Sequence, residues 1–294
     1  MTEADAGSNA ANPSDASAWV AGREDSLEGA YFHTDDGHWF EPTAHCRGPW
    51  DVDGCHAGPP SGLLARSMER AIDASLRSAG NHQRLVRLTV DLIRPIPMAG
   101  FRVEAEVVRA GRSVSTLRAV IRDGNGRERV TATGLALRND RNHPLPTIDE
   151  RLYHPEEADP GGFPLTRAMH DQPGFVGSVA LRYPPGETTA PGPTAVWMKT
   201  VPLIEGEAPS PFQRICPLAD CGNAFSRNAE PWDVGFVNPD LTIVLHRPPD
   251  GEWLGSSSAS YWQPDGTGLA QAELFDRHGP VGMALQTLLL SPRD

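Results

Sequence analysis

The chain has 294 residues, 39% apolar and 22% charged, a balance that supports a globular core and leaves room for two units of about 150 residues each. It carries 26 basic against 38 acidic residues, a net charge of −12. That acidity excludes a nucleic-acid or anionic-membrane protein, because phosphate binding draws on basic residues, and no run of 18 apolar residues offers a membrane span.

Residues 1–26 are rich in Ala, Ser, Asn and Asp, without the basic start and apolar core of a secretory signal. They read as a flexible tail. With only Cys46, Cys55, Cys216 and Cys221 as thiols and no secretory route in view, the chain reads as cytoplasmic. His45-Cys46 and Cys55-His56 lack zinc-site spacing, so free thiols are expected there and no metal. Pro59 to about Leu76 reads as a helix with Leu64, Met68, Ala71, Ile72 and Ser75 on one stripe, and Gly58 stands just before it.

Strands with one buried face follow. Leu88, Val90 and Leu92 alternate with polar neighbours, as do Val103, Ala105 and Val107, then Leu117, Ala119 and Ile121. Asp123-Gly-Asn-Gly126 reads as a hairpin turn. Residues 139–172, rich in Pro, Gly and acidic residues, read as a linker. A second helix is expected over Pro211 to Arg227, broken by Pro217, then strands near Leu241–Leu245, Trp253–Tyr261, Ala270–Asp276 and Val281–Leu290. Ser256-Ser-Ser-Ala-Ser260 reads as strand hydroxyls paired across a sheet.

The two halves repeat. Leu88-Thr-Val-Asp-Leu-Ile-Arg94-Pro95 returns as Leu241-Thr-Ile-Val-Leu-His-Arg247-Pro248, an offset of 153 that also maps Asp123 onto Asp276 and Thr131–Leu137 onto Ala284–Leu290. One long helix against a mainly antiparallel sheet in each copy makes an α+β protein, with a unit at 27–138 and another at 173–294. Neither a Gly-x-Ser-x-Gly elbow nor a phosphate-loop or dinucleotide fingerprint is present. The copies differ where Gln286 stands against Thr133 of the first, amid apolar neighbours, and Asp220 follows an apolar helix run. A carboxylate and an amide in such surroundings need partners, and together they make a water-orienting pair.

Several segments resemble one family. Gly54-Cys-His-Ala-Gly-Pro-Pro-Ser-Gly62, Leu218-Ala-Asp220-Cys-Gly-Asn223, Leu241 to Pro248 and Gly282-Met-Ala-Leu-Gln286 resemble the acyl-CoA thioesterase II family, actinobacterial in type. The resemblance implies two tandem hot-dog domains (a double hot dog), each an antiparallel sheet wrapped around a central helix. It also implies a water held by an Asp, a Thr and a Gln of the second unit. Asp220 and Gln286 match two of these; the Thr position falls on Asn238, a departure that replaces a hydroxyl with an amide. On this reading Asp220 is the general base and Asn238 and Gln286 fix the water, while Ser61 and Gly62 supply oxyanion N–H groups and His56 and Gly58 contact substrate. The expected reaction is hydrolysis of an acyl thioester, on coenzyme A or a carrier protein, without cofactor, in a homodimer or higher homo-oligomer. Two alternatives keep the fold: an acyl-thioester hydratase or dehydratase, with His56 near Asp51 and Asp53, and a non-catalytic acyl-thioester binder.

Overall fold

A computed structural model describes residues 27–76, 80–139, 153–165 and 173–292. The segment 1–26 and the parts 140–152 and 166–172 of the linker lie outside the described residues. The first half runs β1 (Phe32–His33), β2 (Trp39–Pro42), α1 (Gly58–Ser75), β3 (Gln83–Leu92), β4 (Phe101–Arg109), β5 (Val114–Asp123) and β6 (Glu128–Arg138). The second runs β7 (Asp159–Gly161), β8 (Val179–Tyr183), β9 (Thr194–Thr200), α2 (Pro211–Ala219), α3 (Gly222–Ser226), β10 (Val234–Val237), β11 (Asp240–Leu245), β12 (Leu254–Trp262), β13 (Thr267–Asp276) and β14 (Gly279–Pro292). Strand β7 and the turn Pro155–Glu157 fall within the segment read as linker, and β7 pairs with β8.

The repeat offset is built into these boundaries. Helices α1 and α2 begin 153 residues apart, as do β4 and β12, and β5 and β13. Among the described residues the strands form one sheet in the order β1-β2-β4-β5-β6-β3-β11-β14-β13-β12-β9-β8-β7, with β10 also on β14. The halves meet where β3 pairs antiparallel with β11, and there Thr89 stands opposite Thr242, its own repeat counterpart. A local twofold axis therefore passes through this pair, whose hydroxyls bond at 3.2 Å.

The sheet curls around the helices because its inward positions are apolar and its outward ones polar in the first copy. Leu64, Met68 and Ile72 of α1 are buried with Val103, Leu117, Ala119, Ile121 and Ala132, as their spacing predicts; Ser75 is exposed. Burying three such aliphatic side chains contributes roughly 5–8 kcal/mol before chain entropy is counted. The N-terminal half of α1 is buried because α2 crosses it antiparallel: Glu69 meets Ser210 and Gln213, Gly62 meets Gln213, and Gly58 meets Pro217.

Three expectations change. Pro217 does not break the second helix; it sits within α2, which ends at Ala219, and the chain turns through Asp220 and Cys221 into α3 at Gly222. Strands β6 and β14 are related by 152 residues, not 153. Thr89 faces Thr133 and Thr242 faces Leu285, which moves the counterpart of Gln286 from Thr133 to Gly134. A slip of one residue in a strand exchanges the two faces, and Thr133 is exposed while Gln286 is buried. Finally, the hydroxyls of Ser256 and Ser258 are buried without a partner rather than paired across the sheet.

Candidate active site

The second copy carries a polar cluster at the turn between α2 and α3. Asp220 is the residue after the last turn of α2, with φ −82° and ψ 0°, and its side chain is buried. Gln286 projects inward from β14 and donates from Nε2 both to the Asp220 carbonyl at 3.0 Å and to Oδ1 at 3.2 Å. Its own Oε1 accepts the Asn223 N–H at 3.2 Å, so the amide is satisfied from both ends.

Asn238 arrives by a different route. Val237 pairs with Leu289 through β10, and Thr242 with Leu285 through β11, which leaves one extra residue at Asn238–Pro239. This is a bulge, a device that re-aims a side chain and bends its strand. It turns Asn238 onto Asp220, with Nδ2 2.9 Å from Oδ1. The first copy has a register shift at the matching place, between Leu85 and Arg87, and there Leu85 is buried. By the register of the strands, Asp220, Asn238 and Gln286 correspond to Ser67, Leu85 and Gly134. A side chain at Gly134 would strike Met68 Sδ at 2.5 Å and Leu85 Cδ1 at 3.2 Å. The first copy fills with hydrocarbon the space that the second lines with amides. Thr242 bonds Thr89 on the twofold axis and takes no part in the cluster.

The first copy contributes His56 instead. Its Nδ1 lies 3.1 Å from Asp220 Oδ2, and the N–H of Gly58 points at the same nitrogen from 3.1 Å. The ring stacks on Phe175 with centroids 3.9 Å apart, which fixes its plane. Burial raises the Asp220 carboxyl from 3.8 to about 7, opposed by the donors Asn238, Gln286 and Gly58. Burial lowers His56 from 6.5 to about 3. One proton thus fits between Oδ2 and Nδ1, and it resides on Asp220 until pH nears neutrality.

Asp51 and Asp53, close to His56 in sequence, do not pair with it; Asp51 accepts the Asp53 N–H. Ser61 does not offer a free amide, because its N–H and hydroxyl both bond the Ala57 carbonyl. Gly62 lies a full turn inside α1, where its N–H falls to the Gly58 carbonyl, and its lack of a side chain lets α1 approach Gln213. The amide that faces the cluster is that of Gly58. Burial pushes the Cys216 and Cys221 thiols up, which keeps them from acting as thiolate nucleophiles. Phe175 and the partnership of His56 with Asp220 were not readable from spacing.

Two central helices inside one curled antiparallel sheet define a double hot-dog protein. The sequence matches the model of the acyl-CoA thioesterase N-terminal domain over residues 46–138 and that of the C-terminal domain over 153–290. The chain belongs to the acyl-CoA thioesterase family and is a thioester hydrolase. Solved structures share its fold. A hot-dog protein from Alicyclobacillus acidocaldarius is 16% identical with a TM-score of 0.65, covering 92% of this chain and 98% of its own. A TesB protein from Mycobacterium avium subsp. paratuberculosis is 14% identical with a TM-score of 0.58, covering 93% and 100%. An acyl-CoA thioesterase II from Mycobacterium marinum is 14% identical with a TM-score of 0.56, covering 92% and 99%. A search of curated proteins found no match.

Proposed function

We propose that the protein hydrolyses an acyl thioester, with coenzyme A as the thiol carrier, by direct attack of water. The observation that carries this reading is the buried Asp220 carboxyl, raised to about 7 and held by two side-chain amides. A base of that strength takes a proton from water near neutral pH. Ionised Asp220 accepts the proton as the water oxygen bonds to the thioester carbon. The carbon–sulfur bond then breaks, and the proton passes to the departing sulfur, leaving a free acid and a thiol. Asn238 and Gln286 orient the carboxylate, His56 lies against its second oxygen, and the positive end of α1 favours the charge that develops on the carbonyl oxygen. Asn238 in the Thr position keeps a donor on Asp220, which supports activity despite the departure. The exposed Val244, Met283, Leu285 and Leu289 on the outer sheet face support association of the chain with itself.

A second reading, hydration of an unsaturated acyl thioester, draws on the His56–Asp220 pair, a couple suited to moving a proton. An acyl-CoA panel separates the two. Release of free thiol is expected; a change in enoyl absorbance without thiol would establish the second reading, and binding without either a non-catalytic role.

A further inference from the structure

Beside the N-terminal half of α2 lies a cavity of about 460 Å³, a size that accepts a small ligand. Tyr31, Leu203, Pro209 and Pro217 give it an apolar wall, and Lys199, Arg214 and Glu252 stand on it. None of Asp220, Asn238, Gln286, His56 or Gly58 lines it.

Its place in the fold mirrors the catalytic cluster. Subtracting 153 carries Pro209 onto His56 and Arg214 onto Ser61, so the cavity borders the start of α2 as the cluster borders the start of α1. The chemistry on this side is different. Ser67 stands where the other copy has Asp220, and the helix crossing is closed by the half-buried Glu69, which accepts from Ser210 at 2.8 Å and Gln213 at 2.7 Å. The Asp220 carboxyl thus has no counterpart at this position.

Two cations and one carboxylate over an apolar wall match a molecule with an anionic head and an apolar tail. Lys199 bonds Glu252 at 2.7 Å, yet the Glu252 side chain is 73% exposed. A pair exposed on that side is weak, and an entering carboxylate exchanges readily for Glu252. We propose that this cavity is a second, non-hydrolytic binding site for a free carboxylic acid with an apolar tail, the class of molecule that thioester hydrolysis releases.

Lys199 is the only lysine in the chain, so an amine-selective reagent followed by mass spectrometry of its peptide reports on the cavity directly. Decanoate below its aggregation threshold is expected to slow Lys199 labelling saturably, roughly tenfold when free ligand reaches about nine times its Kd. Decanol and inorganic phosphate, which each lack one half of the match, should leave the rate unchanged. Ala208→Trp, which adds bulk at a residue lining the cavity, and Arg214→Gln, which removes a cation without adding bulk, should each abolish protection while thiol release from acyl-CoA persists. The proposal is overturned if decanoate gives no protection, if decanol or phosphate protects equally, or if protection survives both variants. Because labelling needs no turnover, an Asp220 variant that proved fully active would refute the catalytic reading and leave this one standing.

Discussion

Asp220 loses hydration on burial, and that loss outweighs three donors that favour its charged form. Only the ionised carboxylate acts as base, so kcat/KM should rise with pH through an apparent pKa of about 7. A rate flat from pH 5 upward would dismiss Asp220 as the base. Asn238→Ala removes one donor that lowers this pKa, so the midpoint should move up by about one unit, given about 1.4 kcal/mol per unit and a comparable worth for a hydrogen bond to a charge. A pH series on the variant checks this, and an unmoved or lowered midpoint contradicts it. Asp220 and Gln286 were legible because polar residues in apolar runs demand partners. Asn238 was legible only through family likeness, since nothing local announces a bulge. His56 and Asp220 come from separate copies, and only the crossing of α1 and α2 joins them.

Glycines set how closely those two helices pass. A methyl at Gly58 would lie 2.8 Å from Pro217 Cα and 3.2 Å from His56 Nδ1, whereas at Gly62 it would first meet Leu203 Cδ1 at 3.0 Å. Backbone cannot yield as a leucine methyl can. Gly58→Ala should therefore cost about 1–3 kcal/mol and depress hydrolysis, while Gly62→Ala is milder because added helix propensity offsets the crowding. Denaturant melts of both variants test the order; equal losses would refute it. Period-two alternation revealed the long strands, because each has one face in the core. Short strands such as β1, β7 and β10 carry too few residues to show a period. The one-residue slip of β14 was hidden because the β13–β14 turn, Arg277–His278, is one residue shorter than the loop Gly124–Gly126, which the Asp123 N–H closes on the Arg127 carbonyl. That difference shows only once strands are paired.

Pairing of two copies about the Thr89–Thr242 axis places two related positions at the crossing of α1 and α2, and divergence has left Asp220 at one and Ser67 at the other. The fused architecture followed from the offset of 153, but the joining of both sheets through β3 and β11 did not, since the same strands could have paired within separate units. Folding stability carries a trace of the arrangement. Between about pH 4 and 6.5 the unfolded pair keeps its proton on His56 and the folded pair on Asp220, so proton counts match and the pair contributes no slope. His56→Ala leaves Asp220 alone with a raised pKa; the folded state then binds the extra proton, and stability should fall as pH rises from 3.8 towards 7. Melting curves of the variant that rise with pH over that span would contradict the assignment. The most direct test is thiol release from acyl-CoA by Asp220→Asn, a near-isosteric change that removes the base. Turnover is expected to fall by roughly 10²–10⁴ with the melting temperature held or raised, and turnover close to that of the unaltered protein would contradict the account.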